Sequence, residues 1–139
     1  MYKYILVFIS VFFSLLACNK EDQDTGDVIY PNLLLGTWIY TNIENETQIM
    51  HRSDSLLTNR YGFTVLPNGE FIERKNSGWC GTGGDYIFED YQGEWRHPDL
   101  FLYQIKVDYC QGIVEYDMII EYLHKDSLRF HYVFSSITP

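Results

Sequence analysis

Residues 101–109, FLYQIKVDY, alternate between two kinds of side chain. The odd positions are apolar or aromatic, whereas the even positions from 104 to 108 are polar. Because successive side chains of a β-strand point to opposite faces, this pattern predicts a strand with one buried face. The same period of two recurs over 114–122 and 128–134. The sequence therefore predicts a series of half-buried antiparallel strands.

Turn signals connect further strands to this series. In the stretch 66–70, LPNGE, Pro67 presets the first torsion and Gly69 supplies a left-handed residue, which predicts a short hairpin. Residues 124–127 form a second predicted hairpin. Shorter runs raise the predicted count to eight or nine strands, and they cover 37–43, 48–52, 61–66, 70–75, 86–89 and 93–97. The edge strands of an open sheet carry unpaired backbone N–H and C=O groups, and closure into a barrel pairs them. We therefore predict an all-β, antiparallel up-and-down β-barrel of about eight strands.

Composition limits the class of protein further. The chain has 139 residues, enough for one domain, and 17% of them are aromatic, which excludes a disordered or collagen-like protein. Its formal net charge of −9 repels phosphate backbones, so we predict no nucleic-acid partner.

The N-terminal residues have the layout of an export signal. Lys3 precedes an apolar run, so residues 1–17 are predicted to be a signal peptide, with a lasting transmembrane helix as the alternative. Residues 15–18, LLAC, resemble the lipobox of bacterial lipoproteins. That resemblance implies that Cys18 carries lipid, including palmitate, and anchors the mature chain to a membrane. Residues 18–31 are polar and acidic, and we predict a flexible tether there.

The residues that follow Cys18 indicate where in the cell the protein is located. Lys20-Glu21-Asp22 resembles the tag that directs some Gram-negative lipoproteins to the cell surface. The resemblance implies a lipid-anchored protein of the outer membrane, exposed at the cell surface. A protein that faces the periplasm is the alternative.

A second resemblance concerns the domain, 32–139. The stretch 33–38, LLLGTW, resembles the turn and Gly-x-Trp motif that open the first strand of lipocalins and of bacterial lipocalin-like lipoproteins. Residues 76–82 and the pattern Tyr91-x-Gly93-x-Trp95 resemble the middle of the same lipoproteins. The resemblance implies that Trp38 packs under the barrel floor. The sequence shows no counterpart of the later basic motif that closes the floor in larger members.

Cys80 and Cys110 are the cysteines that remain after Cys18 is assigned to lipid. In an exported domain they are predicted to form a structural disulfide. The alternative is redox chemistry, because Trp79-Cys80-Gly81 resembles the start of a thioredoxin active site. The resemblance does not extend to Gly83, which occupies the position of the second cysteine of that motif.

The sequence contains no pattern that requires catalysis. The four histidines lack the spacing of a zinc site, although His124 and His131 flank a hairpin. No Gly-x-Ser-x-Gly motif is present, and the acidic residues of 115–121 fall on a solvent face. We therefore expect no catalytic residues, no metal and no cofactor.

Inward-facing rings instead favour binding. The leading hypothesis is a monomer that binds a small apolar or amphipathic ligand in its barrel. The predicted lining consists of Trp38, Tyr40, Tyr103, Tyr116, Met118, Tyr122 and Tyr132. In the alternative, these rings fill a narrow barrel. The chain would then be a non-catalytic surface module whose loops around Trp79 and Asp99 contact an envelope protein or a glycan.

Overall fold

The computed structural model describes residues 31–77 and 87–138, which form one short helix and eight strands. The strands close into an antiparallel barrel in the order β1-β2-β8-β7-β6-β5-β4-β3, which confirms the predicted all-β barrel of about eight strands. The elements are α1 (Pro31–Leu34), β1 (Gly36–Glu44), β2 (Thr47–Ser53), β3 (Gly62–Val65), β4 (Glu70–Asn76), β5 (Phe88–Asp99), β6 (Leu102–Tyr109), β7 (Gly112–Leu123) and β8 (Ser127–Thr138).

The strand order departs from a plain meander at one connection. β1 pairs with both β2 and β3, so residues 54–61 must cross β1 to join them. Leu56 and Ile39 both approach Gly62, and Arg74 Nη1 donates to the Leu56 carbonyl at 3.0 Å. This connection therefore covers the outside of β1, which explains why Ile39 is only 6% exposed although it lies outside the core cluster.

Two predicted hairpins are confirmed, whereas one predicted break is wrong. Gly69, at a φ of 89°, lies in the turn between β3 and β4, and residues 124–126 connect β7 to β8. Residues 88–89 and 93–97 of the two predicted runs, 86–89 and 93–97, belong instead to the one continuous strand β5, which begins at Phe88. The physical reason is that Tyr91 is buried between exposed neighbours, so the alternation continues through the supposed break. Tyr86 lies outside the described residues.

The lower half of the barrel, where β1 begins, is filled with side chains. Phe63 lies 5.2 Å from Phe71 and 5.9 Å from Phe130, measured between ring centroids. Fully buried residues packed in this core include Trp38, Met50, Phe63, Phe71, Tyr103, Ile105, Met118, Leu128 and Phe130. Interiors of narrow barrels are commonly occupied in this way.

The floor of the barrel is built around Trp38. Its indole Nε1 donates to the Leu34 carbonyl at 2.8 Å, which joins α1 to β1. The Arg52 guanidinium lies 4.3 Å from the indole centroid and donates to the carbonyls of Leu33, Leu35 and Lys125. Arg52 thus supplies the basic group at the floor that the sequence did not reveal.

Several predictions fall on residues that the structure does not describe. The signal peptide, lipidated Cys18 and nearly all of the tether lie outside the described residues, as do Trp79 and Cys80. They remain predictions. Among residues 31–77 and 87–138, we find no helix with the length and apolar character that a membrane span requires.

Candidate functional site

The upper half of the barrel, where β4 ends and β5 begins, is hollow. β3 pairs with β4 only as far as Gly62↔Arg74, and β2 pairs with β8 only over four residues of each strand, so the upper parts of β4 to β8 extend beyond them. This sheet partly encloses a cavity of about 370 Å³. The lining comprises Tyr61, Glu73, Lys75, Asn76, Phe88, Tyr109, Tyr116, Tyr132 and Phe134.

A carboxylate lies among the aromatic walls of this cavity. Glu73 shares the inward face of β4 with Phe71, because the two are separated by one residue, and it is only 2% exposed. Tyr109 and Tyr116 both donate their hydroxyls to Glu73 Oε2, the second at 3.2 Å. Burying a carboxylate is costly unless hydrogen bonds replace its water, and these two donors provide such bonds.

A second pair of tyrosines surrounds the same space. The hydroxyls of Tyr61 and Tyr132 are hydrogen-bonded to each other. The Tyr132 ring lies edge-on to Tyr116, with centroids 4.9 Å apart and an interplanar angle of 85°. Edge-to-face pairs of this kind stabilise a fixed arrangement of rings, so the walls are preorganised.

These phenols hold their protons firmly. Burial raises the pKa of Tyr61, Tyr116 and Tyr132 well above the usual value, and the charge of Glu73 raises it further. The same two causes raise the pKa of Tyr109. The tyrosines therefore remain neutral hydrogen-bond donors around the carboxylate across the physiological range.

A cation lies in the same cavity. Lys75 follows Glu73 by two residues on β4, and its Nζ lies 4.9 Å from the centroid of the Tyr109 ring. This is a cation–π distance. The cavity thus combines a buried anion, aromatic walls and a positive group.

The structure brings only some of the predicted lining residues to the cavity. Tyr116 and Tyr132 line the cavity. Trp38, Tyr103 and Met118 are fully buried in the core and do not line it. Tyr40 is partly buried and packs edge-on against Tyr61 at 6.1 Å. The predicted ligand-facing roles of Trp38, Tyr103 and Met118 therefore become packing roles.

The predicted inward position of Tyr122 is wrong. Its side chain is 40% exposed, and Leu123 is buried in its place. The cause is an irregularity in the β7–β8 register between Ile120 and Tyr122, which reverses the faces for the residues beyond it. Simple alternation cannot locate such a bulge.

Sequence reasoning missed the central polar residue of the cavity. Glu73 carried a usable signal, since it has the same parity as Phe71 on a predicted strand. Alternation correctly places Tyr109 on an inward face but indicates no role for it. Tyr61 and Lys75 approach Glu73 and Tyr109 only through the folded geometry.

The remaining predicted sites are away from this cavity. Asp99 is exposed at the lower end, where its Oδ1 accepts a hydrogen bond from Leu100 N at 2.6 Å. His131 Nδ1 lies 3.1 Å from Glu121 Oε1. Within the described ranges, no cluster of three or more His, Cys, Asp or Glu side chains could hold a metal.

Cys110 lies in the turn between β6 and β7, at the upper end of the barrel. It is disulfide-bonded, and its partner lies outside the described residues. The pairing with Cys80 therefore stays a prediction.

No protein-family model, curated protein or solved structure matches this chain. The functional argument consequently depends on the fold and on the cavity.

Proposed function

We propose that this chain is a lipocalin-like lipoprotein that binds a small amphipathic molecule in its upper cavity and is not an enzyme. The single observation that carries the proposal is the combination of aromatic walls with the buried Glu73 carboxylate. Ligand sites are typically mostly apolar, with a few polar groups that fix orientation. A volume of about 370 Å³ lies at the small end of the range for such sites.

The distribution of packing supports this proposal over a fully filled barrel. The rings of the lower half contact one another closely, as Phe63 and Phe71 do at 5.2 Å. In the upper half the side chains leave the cavity between them. A module that acted only through its loops would not need this space.

The proposed setting comes from the sequence motifs. We propose that lipidated Cys18 holds the domain at the outer membrane, exposed at the cell surface, and that Cys80 pairs with Cys110. Since Cys110 lies at the upper end, this disulfide would restrain the same end of the barrel as the cavity.

Direct binding of a fluorescent probe tests the binding function. N-phenylnaphthylamine is apolar and brightens when it leaves water, so the full chain should bind it with a saturable rise in emission. Phe88→Ala removes part of the cavity wall and should weaken binding at least fivefold, because about 1 kcal/mol or more of apolar contact is lost.

Phe101→Ala is the matched control. Phe101 is exposed at the lower end of the barrel, so the same substitution there should leave probe affinity unchanged. No saturable binding by the full chain, or equal weakening by both substitutions, would contradict binding in the upper cavity.

A further inference from the structure

The electrostatics of the cavity narrow the class of ligand. None of the ion pairs between described residues includes Glu73, although this carboxylate is almost completely buried. Its hydrogen bonds come from the neutral hydroxyls of Tyr109 and Tyr116, and both end on Oε2. Oε1 is therefore the oxygen available to a donor on a bound molecule. A buried negative charge gains most from a positive partner.

The rings around this carboxylate suit the same kind of partner. Tyr61, Tyr109, Tyr116 and Tyr132 all line the cavity together with Glu73. Faces of aromatic rings attract cations, and cages of such rings are a recurrent means of recognising ammonium groups. Lys75 Nζ above the Tyr109 ring shows that these walls accept an ammonium group in contact.

We propose, building on the binding function above, that the ligand is an organic ammonium compound: a positively charged amine on an apolar body. The ammonium group donates to Glu73 Oε1 among the tyrosine rings. The apolar body extends toward the mouth, where Phe88 and Phe134 contribute apolar surface.

Other ligand chemistries fit this site less well. An anionic head group beside Glu73 would be repelled by this carboxylate and would lose its hydration on entry. An anion that paired instead with Lys75, which lines the same cavity, would leave the buried Glu73 charge without a positive partner. A neutral hydroxyl could donate one hydrogen bond to the carboxylate, but it would not neutralise the buried charge. The site should therefore rank matched ligands by head-group charge, in the order cation, neutral molecule, anion.

Isothermal titration calorimetry of the full chain with three probes tests this ranking. Phenylbutylamine, phenylbutanol and phenylbutyrate share one apolar body and differ in the charge of the head group near neutral pH. We expect the amine to bind at least tenfold more tightly than the alcohol, which corresponds to about 1.4 kcal/mol. Phenylbutyrate should bind most weakly.

A charge-neutral variant tests the role of the carboxylate. Glu73→Gln should lower affinity for the amine at least tenfold and change affinity for the alcohol less than twofold. Glu70→Gln is the matched control, because Glu70 is exposed on the same strand and lies outside the cavity. The ranking of probes by the unmodified chain needs no variant, so it tests the proposal even if Glu73→Gln fails to fold.

The outcomes separate the two proposals. If the alcohol or the carboxylate bound as tightly as the amine, the cationic specificity would be overturned while the binding function stood. If none of the three bound, the binding function would be contradicted as well. A folded Glu73→Gln variant that kept its preference for the amine would also overturn the role assigned to Glu73.

Discussion

Removal of the Arg52 side chain should destabilise the barrel more than any ordinary surface change. Its guanidinium donates to three backbone carbonyls that belong to the segment 33–35 and to Lys125, and it lies 4.3 Å from the Trp38 indole centroid. Arg52 therefore contacts the N-terminal segment, the Trp38 indole at the floor and the β7–β8 turn, and it links these three parts of the barrel. These segments are far apart in the sequence.

The magnitude follows from these contacts. Hydrogen bonds from charged donors contribute about 1.5–3 kcal/mol each when buried, but Arg52 is only partly buried, so we take about 1 kcal/mol for each. With a small cation–π contribution, Arg52→Ala should lower the free energy of unfolding by about 3 kcal/mol. At a denaturant dependence of about 1.5 kcal/mol per molar urea, the midpoint should fall by about 2 M.

Urea unfolding of the full chain, followed by tryptophan fluorescence, measures this loss. Arg52→Lys keeps the charge but not the planar fork of donors, so it should recover only a minor part of the stability. Arg96→Ala is the control, because Arg96 is exposed on β5, and it should cost less than about 0.5 kcal/mol. If Arg52→Ala and Arg96→Ala had the same midpoint, the reasoning about the floor would be refuted.

Three further predictions concern pH, close packing and the disulfide. Burial raises the pKa of Tyr103 from its ordinary value of about 10 to about 12. The unfolded chain therefore loses this proton at lower pH than the folded chain, so thermal stability should hold below pH 10 and fall between about pH 10 and 12. Phenolate absorbance from every tyrosine of a still folded chain near pH 10 would contradict this. Gly93→Ala should lower the free energy of unfolding by about 2 kcal/mol or more, since the new Cβ would lie 2.4 Å from the Lys106 carbonyl oxygen; wild-type stability in urea would be the contrary result. Peptide mapping of the exported, non-reduced chain should find Cys80 joined to Cys110, whereas labelling of both as free thiols would exclude that bond.

Much of the barrel was readable from local alternation. The pattern of 101–109 placed Tyr103, Ile105, Val107 and Tyr109 on an inward face, and all four are buried. The pairing of strands that are distant in the sequence is harder to predict from local patterns. The crossing of β1 by residues 54–61 depends on contacts with Ile39 and Arg74, which no local pattern encodes.

The candidate site was only partly predictable, for two physical reasons. Bulges shift the alternation by one residue, which is why Tyr122 faces outward while Tyr116 lines the cavity. Buried polar groups also resemble surface groups in a sequence. Alternation places Glu73 on an inward face, but its role and that of Arg52 depend on partners such as Tyr109 and Leu33, which lie 36 and 19 positions away.

Native mass spectrometry of the full chain tests the central claim most directly. The oxidised protein would be measured before and after exposure to a total membrane extract of its source cell, with Phe88→Ala treated in parallel. The account predicts a discrete adduct that a competing amine displaces and that Phe88→Ala retains poorly. A bare protein mass under both conditions would contradict ligand binding in the upper cavity.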